Sequence, residues 1–220
     1  MAKEMIHLLP DELNQYIEDH LPERPDVFHD MEKLAAEKKF PIIGPQVGQY
    51  LKLLALSINA RRVFELGSGF GYSALWFALG MPDEGQIVLT DEREDNLEQA
   101  EKFMSRLWQN GKADFLAGNA LDHFSAAKGA WDIVFNDIDK EQYPDTIELA
   151  YEKLRPGGFF VTDNVLWGGT VVSDHSHPST RGVLEFNKRL RDHPGFENAI
   201  LPVRDGLAVA RKVTDDWKPW

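Results

Sequence analysis

Three short stretches carry residue types that chemistry needs. "FNDIDKEQYP" (Phe135 to Pro144) closes an apolar run, "WDIVF", with Asp137, Asp139 and Lys140 in quick succession. "GFFVTDN" closes another apolar run with Asp163 and Asn164. "ELGSGFGYS" (Glu65 to Ser73) follows a third, and carries glycines at 67, 69 and 71. Two carboxylates and an amide oxygen are hard ligands, suited to magnesium, calcium or manganese rather than zinc. Glycines let a backbone turn sharply and approach a ligand closely.

Each set also has a plain structural reading. Asp139 would cap a helix starting near Lys140, with Pro144 in its first turn. Asp163 and Asn164 alone would make a polar turn, and Lys140 alone a surface lysine. What decides is where the sets fall. "RVFELG", "QIVLTD", "ADFLAG", "WDIVFND" and "GFFVTDN" read as short strands. Between and after them run the helical patterns "YSALWFALG", "REDNLEQAEKFMSRLWQNG", "EQYPDTIELAYEKL" and "TRGVLEFNKRLRDHP". "ENAILPV" and "GLAVARK" make a closing hairpin, and three helical stretches lie ahead of Arg61. Strands alternating with helices predict a parallel sheet covered on both faces.

The expectation is one α/β domain over 1–220, with an N-terminal helical cap or lid over 1–60 and a Rossmann-like core over 61–220. The core is a doubly wound, mostly parallel seven-stranded sheet with a C-terminal antiparallel hairpin. Its ligand crevice lies at the carboxyl ends of the strands, where all three sets fall.

The glycine spacing is G-x-G-x-G, not the G-x-G-x-x-G of dinucleotide enzymes, so a pyrophosphate cradle and a nicotinamide dehydrogenase are disfavoured. Asp91 ends the second strand, where an acid can accept hydrogen bonds from a ribose diol. "GNAL", with Asn119 and Ala120, ends the third, where a small turn can edge an adenine. Gly67, Gly69, Asp91, Asn119 and Ala120 together suit an adenosyl ligand without a pyrophosphate, S-adenosylmethionine (SAM). Glu65 and Ser73 would hold its amino acid end, and Asp137 would border both the donor and the metal.

Composition narrows the class further. The chain has 220 residues and no cysteine, which removes disulfides and thiolate metal sites. "MAKEMIHLLPDELNQ" has no apolar core of a leader, and no apolar run is long enough for a membrane span, so a cytoplasmic protein without membrane partners is expected. The net charge of −12 leans against nucleic acid, although Arg181, Lys188, Arg189 and Arg191 form a local basic run. His175 and His177, an H-x-H in a polar loop without a third ligand nearby, read as solvated rather than metal-binding.

At "FNDIDKEQYP" and "LRPGGFFVTDNVLWGG" the chain resembles the metal-dependent class I O-methyltransferases, the group of catechol and caffeoyl-coenzyme A O-methyltransferases. The similarity runs from "GPQVGQYLKLLA" to "LPVRDGLAVARK". It implies that Asp137, Asp163 and Asn164 hold a divalent cation and that Lys140 is the catalytic base. It also implies that Glu65, Gly67, Ser73, Asp91 and Ala120 bind the methyl donor, and that the chain forms a homodimer with the N-terminal helices contributing. One departure is "TDERED", which lacks the proline that bacterial relatives often carry soon after the ribose acid.

The acceptor expected from the resemblance is a small catechol-like or hydroxycinnamoyl-type aromatic, with Trp167 either walling its ring or packing under the loop. Two other readings stay open: methylation of 5-hydroxyuridine in tRNA, and a SAM-binding module without catalysis.

Overall fold

The structure is a computed structural model and describes residues 9–214. Residues 1–8, part of the stretch read for a leader, and 215–220 lie outside the described residues.

Five strands follow one another in parallel: β1 (Arg62–Leu66), β2 (Gln86–Asp91), β3 (Lys112–Ala117), β4 (Trp131–Asn136) and β5 (Leu154–Thr162). β6 (Phe196–Leu201) and β7 (Leu207–Lys212) complete a seven-stranded sheet in the order β3-β2-β1-β4-β5-β7-β6. β7 inserts antiparallel between β5 and β6, so the expected mixed sheet with a closing hairpin is present.

Why these runs become central strands is visible in their burial. Side chains alternate between the two faces of a strand, and here both faces are covered, so the runs are apolar almost throughout. Val63, Ile87, Ile133, Phe135 and Val161 enter one core, with α2 (Asp26–Lys38), α3 (Gly44–Ser57), α4 (Tyr72–Ala78) and α5 (Glu94–Leu107). Phe64, Leu66, Val134 and Phe160 enter the other. That second core is closed by α6 (Ala120–Ala126), α7 (Tyr143–Lys153) and α9 (Pro178–Asp192). The Phe64 ring sits 4.6 Å from Phe124 and 5.1 Å from Trp131. Burying one such ring contributes about 1.5–3 kcal/mol.

The remaining helices are α1 (Asp11–Asp19), ahead of α2, and the four-residue α8 (Thr170–Ser173) after β5. α6 is absent from the sequence reading, which has only a turn at "GNAL". Asn119 makes the helix possible, because its side chain accepts from the amides of Leu121 and Asp122. Asp139 departs from expectation too. It precedes a 3-10 turn at Lys140–Gln142, but its side chain makes no capping hydrogen bond; the backbone carbonyl of Asp139 accepts from Gln142 instead.

α2 is fastened to the start of α4 by a polar triangle. The Tyr72 hydroxyl donates to Glu32 at 2.7 Å, and Arg24 grips the same carboxylate at 2.8 and 3.0 Å. Burial first, then that hydrogen bond, pushes the Tyr72 phenol well above its usual range. α2 therefore stands fixed against α4, with Glu32, Ala35 and Ala36 at the cleft over the strand ends.

Candidate active site

The sheet order reverses between β1 and β4, the switch point at which open α/β sheets leave a crevice. Register sets what meets there. Leu66 pairs with Asn136, and Asn136 with Thr162. The next residues of the three strands, Gly67, Asp137 and Asp163, therefore emerge at one level on strands about 4.8 Å apart. The amide of Asp137 donates to the Leu66 carbonyl at 2.8 Å, and the amide of Asp163 to Asn136 at 3.1 Å.

A cleft of about 1120 Å3 opens over these ends. Its lining includes Gly67, Gly69, Ser73, Asp91, Asn119 and Ala120 on one side, and Asp137, Lys140, Asp163, Asn164 and Trp167 on the other. Glu65 alone of the expected site residues is not in the lining; it lies fully buried behind the loop. Neither of its carboxylate oxygens makes a hydrogen bond of good geometry, although two serine hydroxyls lie near. Burial raises its pKa to about 8, held back by the nearby Ser73 and Ser68 hydroxyls.

The glycine loop is shaped by close approach. Gly67 has φ +79°, and a Cβ there would lie 2.7 Å from the Asp137 carbonyl oxygen. Only glycine fits between the two strand ends. Asp91 accepts from the Gly69 amide at 3.0 Å, and from the Arg93 amide and the Asn96 side chain at 2.9 Å each. The residues of "TDERED" thus brace the acid rather than displace it.

On the other side Lys140 is not a surface lysine. Its ammonium donates to Asp137 Oδ1 at 2.7 Å and to the Ile138 carbonyl at 3.2 Å. It stands 4.8 Å from the Tyr143 ring centre and 5.4 Å from that of Trp167. Asp163 is buried; its pKa is raised by that burial first and by the charge of Asp137 second, with Lys140 and Arg204 opposing. The Tyr143 hydroxyl donates to the Asp163 carbonyl at 2.9 Å, which fixes the backbone there. Among the described residues no three of His, Asp or Glu converge to hold a metal. The cluster is two carboxylates and an amide.

The sequence profile of the O-methyltransferase family matches residues 18–213. The chain belongs to this family. It is a SAM-dependent O-methyltransferase. Caffeoyl-CoA O-methyltransferases from Eucalyptus gunnii and Arabidopsis thaliana are 32% and 31% identical to it, each over 94% of this chain and over 89% and 86% of their own lengths. Among solved structures, an O-methyltransferase from Bacillus cereus in complex with SAH is similar with a TM-score of 0.82 at 26% identity, over 91% of this chain and 97% of that one. The TomG O-methyltransferase of tomaymycin synthesis from Streptomyces achromogenes, in complex with SAM, gives 0.82 at 25% identity, over 92% and 96%.

Several residues of the methyltransferase site are not signalled by motif. Phe40 lines the cleft from the link before α3, and a Cβ on Gly69 would meet its ring at 2.9 Å. Asn96, which braces Asp91, sits on a helical turn that reads only as amphipathic. The two loop histidines have structural work: His177 Nδ1 accepts from the Ser179 amide at the start of α9, and His175 contacts the Val171 carbonyl at 2.9 Å. The basic run on α9 is partly paired, with Arg189 on Glu185 and both Lys188 and Arg191 on Asp192, while Arg181 donates to the Ser176 carbonyl. No helix among the described residues is long and apolar enough to cross a membrane.

Proposed function

We propose that the enzyme methylates one hydroxyl of a catechol-like or hydroxycinnamoyl-type aromatic, with a divalent cation, magnesium, calcium or manganese, held by Asp137, Asp163 and Asn164. One observation carries this reading: a single cleft joins the glycine loop, Asp91 and Asn119 to the acid–amide cluster, Lys140 and Trp167. The donor set fits a hard cation, because the buried Asp163 carboxylate is disfavoured by burial and by Asp137, offset by Lys140, the Asn164 amide and Arg204.

When bound, the cation supplies Lewis acidity that makes an aryl hydroxyl more acidic, and SAM supplies an electrophilic methyl group. The chain's own residues do the rest. Glu65 holds the ammonium of the donor's amino acid end, Ser73 its polar neighbour atoms, and Asp91 the ribose diol. Gly67, Gly69 and Ala120 admit the donor by leaving room, while Asn119 holds the turn at its adenine. With Asp137 committed to a bound cation, Lys140 would lose its counter-ion; its neutral amine, formed once the ammonium proton has passed to solvent, would take the hydroxyl proton. Trp167, whose ring centre stands 5.4 Å from Lys140 Nζ, walls the aromatic ring. Orienting the oxygen toward the methyl carbon supplies much of the remaining acceleration.

The caffeoyl-CoA relatives support the aromatic acceptor, and the net charge of −12 leans against tRNA. A homodimer and a cytoplasmic setting belong to the same reading. Leu13, Ile17, Tyr50, Leu53 and Ile200 leave an exposed apolar face on α1, α3 and β6 for the second copy.

The deciding experiment is a turnover screen of caffeoyl-CoA, catechol, caffeic acid and bulk tRNA, with magnesium and with chelator, beside calorimetry of the donor. Donor binding should survive chelation while methylation of the aromatics stops. Full activity in chelator would remove the metal from the reading, and transfer to tRNA alone would replace the acceptor.

A further inference from the structure

We propose that Asp205, in the turn between β6 and β7, is the positioning residue that holds Asn164 and Trp167 in place for the acceptor. The inference rests on the reading that Asn164 holds the cation and Trp167 walls the acceptor's ring. It begins with their backbones. Asn164 has φ +58° and Trp167 φ +45°, both in the left-handed region, followed by Gly168 at +57° and Gly169 at +71°. Non-glycine residues settle there only when their surroundings over-determine them.

The surroundings are the β6–β7 turn. The Val165 amide donates to the Gly206 carbonyl at 3.1 Å, and the Leu166 amide to the Asp205 carbonyl at 2.9 Å. The Gly168 amide then donates to Asp205 Oδ1 at 2.5 Å. Any residue brings the two carbonyls. The carboxylate is the one side-chain acceptor of the three, it is charged, and it grips the residue next to Trp167.

The turn is itself a firm base. Gly206 donates back to the Val203 carbonyl at 2.9 Å, and the Arg204 guanidinium donates to the Ile42 carbonyl at 3.2 Å. On the opposite side α9 holds the same segment, with Asn187 donating to the Val165 carbonyl at 2.8 Å and Thr170 against Thr180 at 2.9 Å. α9 therefore fixes the two ends, residues 165 and 170. Asp205 fixes the middle, where Trp167 stands. Asp205 stands at the edge of the same cleft, and its role in this proposal is exerted through the segment.

The test compares Asp205→Ala and Asp205→Asn with the native full chain. Amide hydrogen exchange is read over residues 165–169 and over the glycine loop. Turnover is read with caffeoyl-CoA and magnesium, and SAH affinity by calorimetry. A hydrogen bond to a charged group contributes about 1.5–3 kcal/mol, or roughly 10- to 100-fold in an equilibrium. Asp205→Ala should speed exchange over 165–169 by about that factor and raise the acceptor KM about 10-fold, with kcat little changed. SAH affinity and exchange at the glycine loop should hold. Asp205→Asn keeps a carbonyl acceptor and should recover much of both losses.

Unchanged exchange over 165–169 in Asp205→Ala would overturn the proposal. So would a lower kcat at unchanged KM with exchange raised throughout, the mark of a merely structural residue. If Asp205→Ala does not fold, Asp205→Asn is read alone for a smaller shift of the same kind. If the native enzyme leaves caffeoyl-CoA unmethylated, that failure belongs to the acceptor reading, and the exchange data still decide for or against the clamp.

Discussion

The Lys140 ammonium donates to Asp137 Oδ1 at 2.7 Å, and only 9% of the lysine side chain is exposed. A lysine three residues after an acid in a loop would ordinarily reach into solvent. Here α9 presses against its backbone: a Cβ on Gly182 would lie 2.2 Å from the Lys140 carbonyl oxygen. Tyr143 and Trp167 flank the amine. The ion pair is therefore held in the cleft, over the level where three strand ends meet.

If Lys140 is the base, Lys140→Ala should lower turnover by about 10²- to 10⁴-fold, the span usual for general base catalysis. Lys140→Arg should fail almost as badly, because a guanidinium stays protonated. Donor affinity should not change in either. Raising the pH should partly restore the alanine variant. Near-normal turnover in Lys140→Arg would reject the role.

Asp163→Asn separates stability from function. The buried carboxyl is disfavoured by burial and by Asp137, so an amide of the same shape should stabilise the metal-free protein by about 1 kcal/mol. In a chain of this size that is a rise of roughly 2–4 °C in melting temperature. Magnesium should then stabilise the variant less than it does the native enzyme, and turnover should fall more than the ~10- to 100-fold that loss of a supporting contact brings. A lower metal-free melting temperature would mean that the carboxylate is structural.

Gly67→Ala tests the coupling of the two halves of the site. The substitution strains a φ of +79° and drives a methyl group into the Asp137 backbone, and should destabilise the fold by more than about 1 kcal/mol. Because the obstruction is the end of β4, magnesium half-saturation should rise along with the donor dissociation constant. Loss of donor affinity alone would show that the loop moves independently of β4.

The central strands were legible because both of their faces are buried. Runs such as "RVFEL" and "WDIVF" are mostly apolar, and their register alone brings Gly67, Asp137 and Asp163 to one level. α6 has seven residues, too few for a hydrophobic period, and its only signal is Asn119 three positions before Asp122. The burial of Lys140 depends on Gly182, and the hold on Trp167 on Asp205, contacts that span 42 and 37 residues. No local pattern announces either. The basic run on α9 is partly offset within the sequence itself, since Glu185 and Asp192 lie one helical turn from Arg189 and Lys188.

Glu65 gives a pH signature that no structural acid would. Its pKa is raised from 4.5 to about 8, chiefly by burial. Below about pH 4.5 the carboxyl is protonated in both folded and unfolded chains and its contribution to stability is fully present. Between about 4.5 and 8 only the unfolded chain loses the proton, so donor-free stability falls by about 1.4 kcal/mol per pH unit from this group; above 8 the loss is complete. Glu65→Gln should flatten that slope in melting curves taken from pH 5.5 to 8.5. If Glu65 holds the donor's ammonium, the donor reverses the preference, because that ammonium needs the carboxylate. Donor affinity should therefore rise with pH and level off above about 8, with close to one proton released per donor bound at pH 7. Calorimetry in buffers of different ionisation enthalpy measures that proton directly. No release, together with a donor affinity flat from pH 6 to 8.5, would mean that the buried carboxyl of Glu65 stays neutral and that the donor's ammonium is held elsewhere.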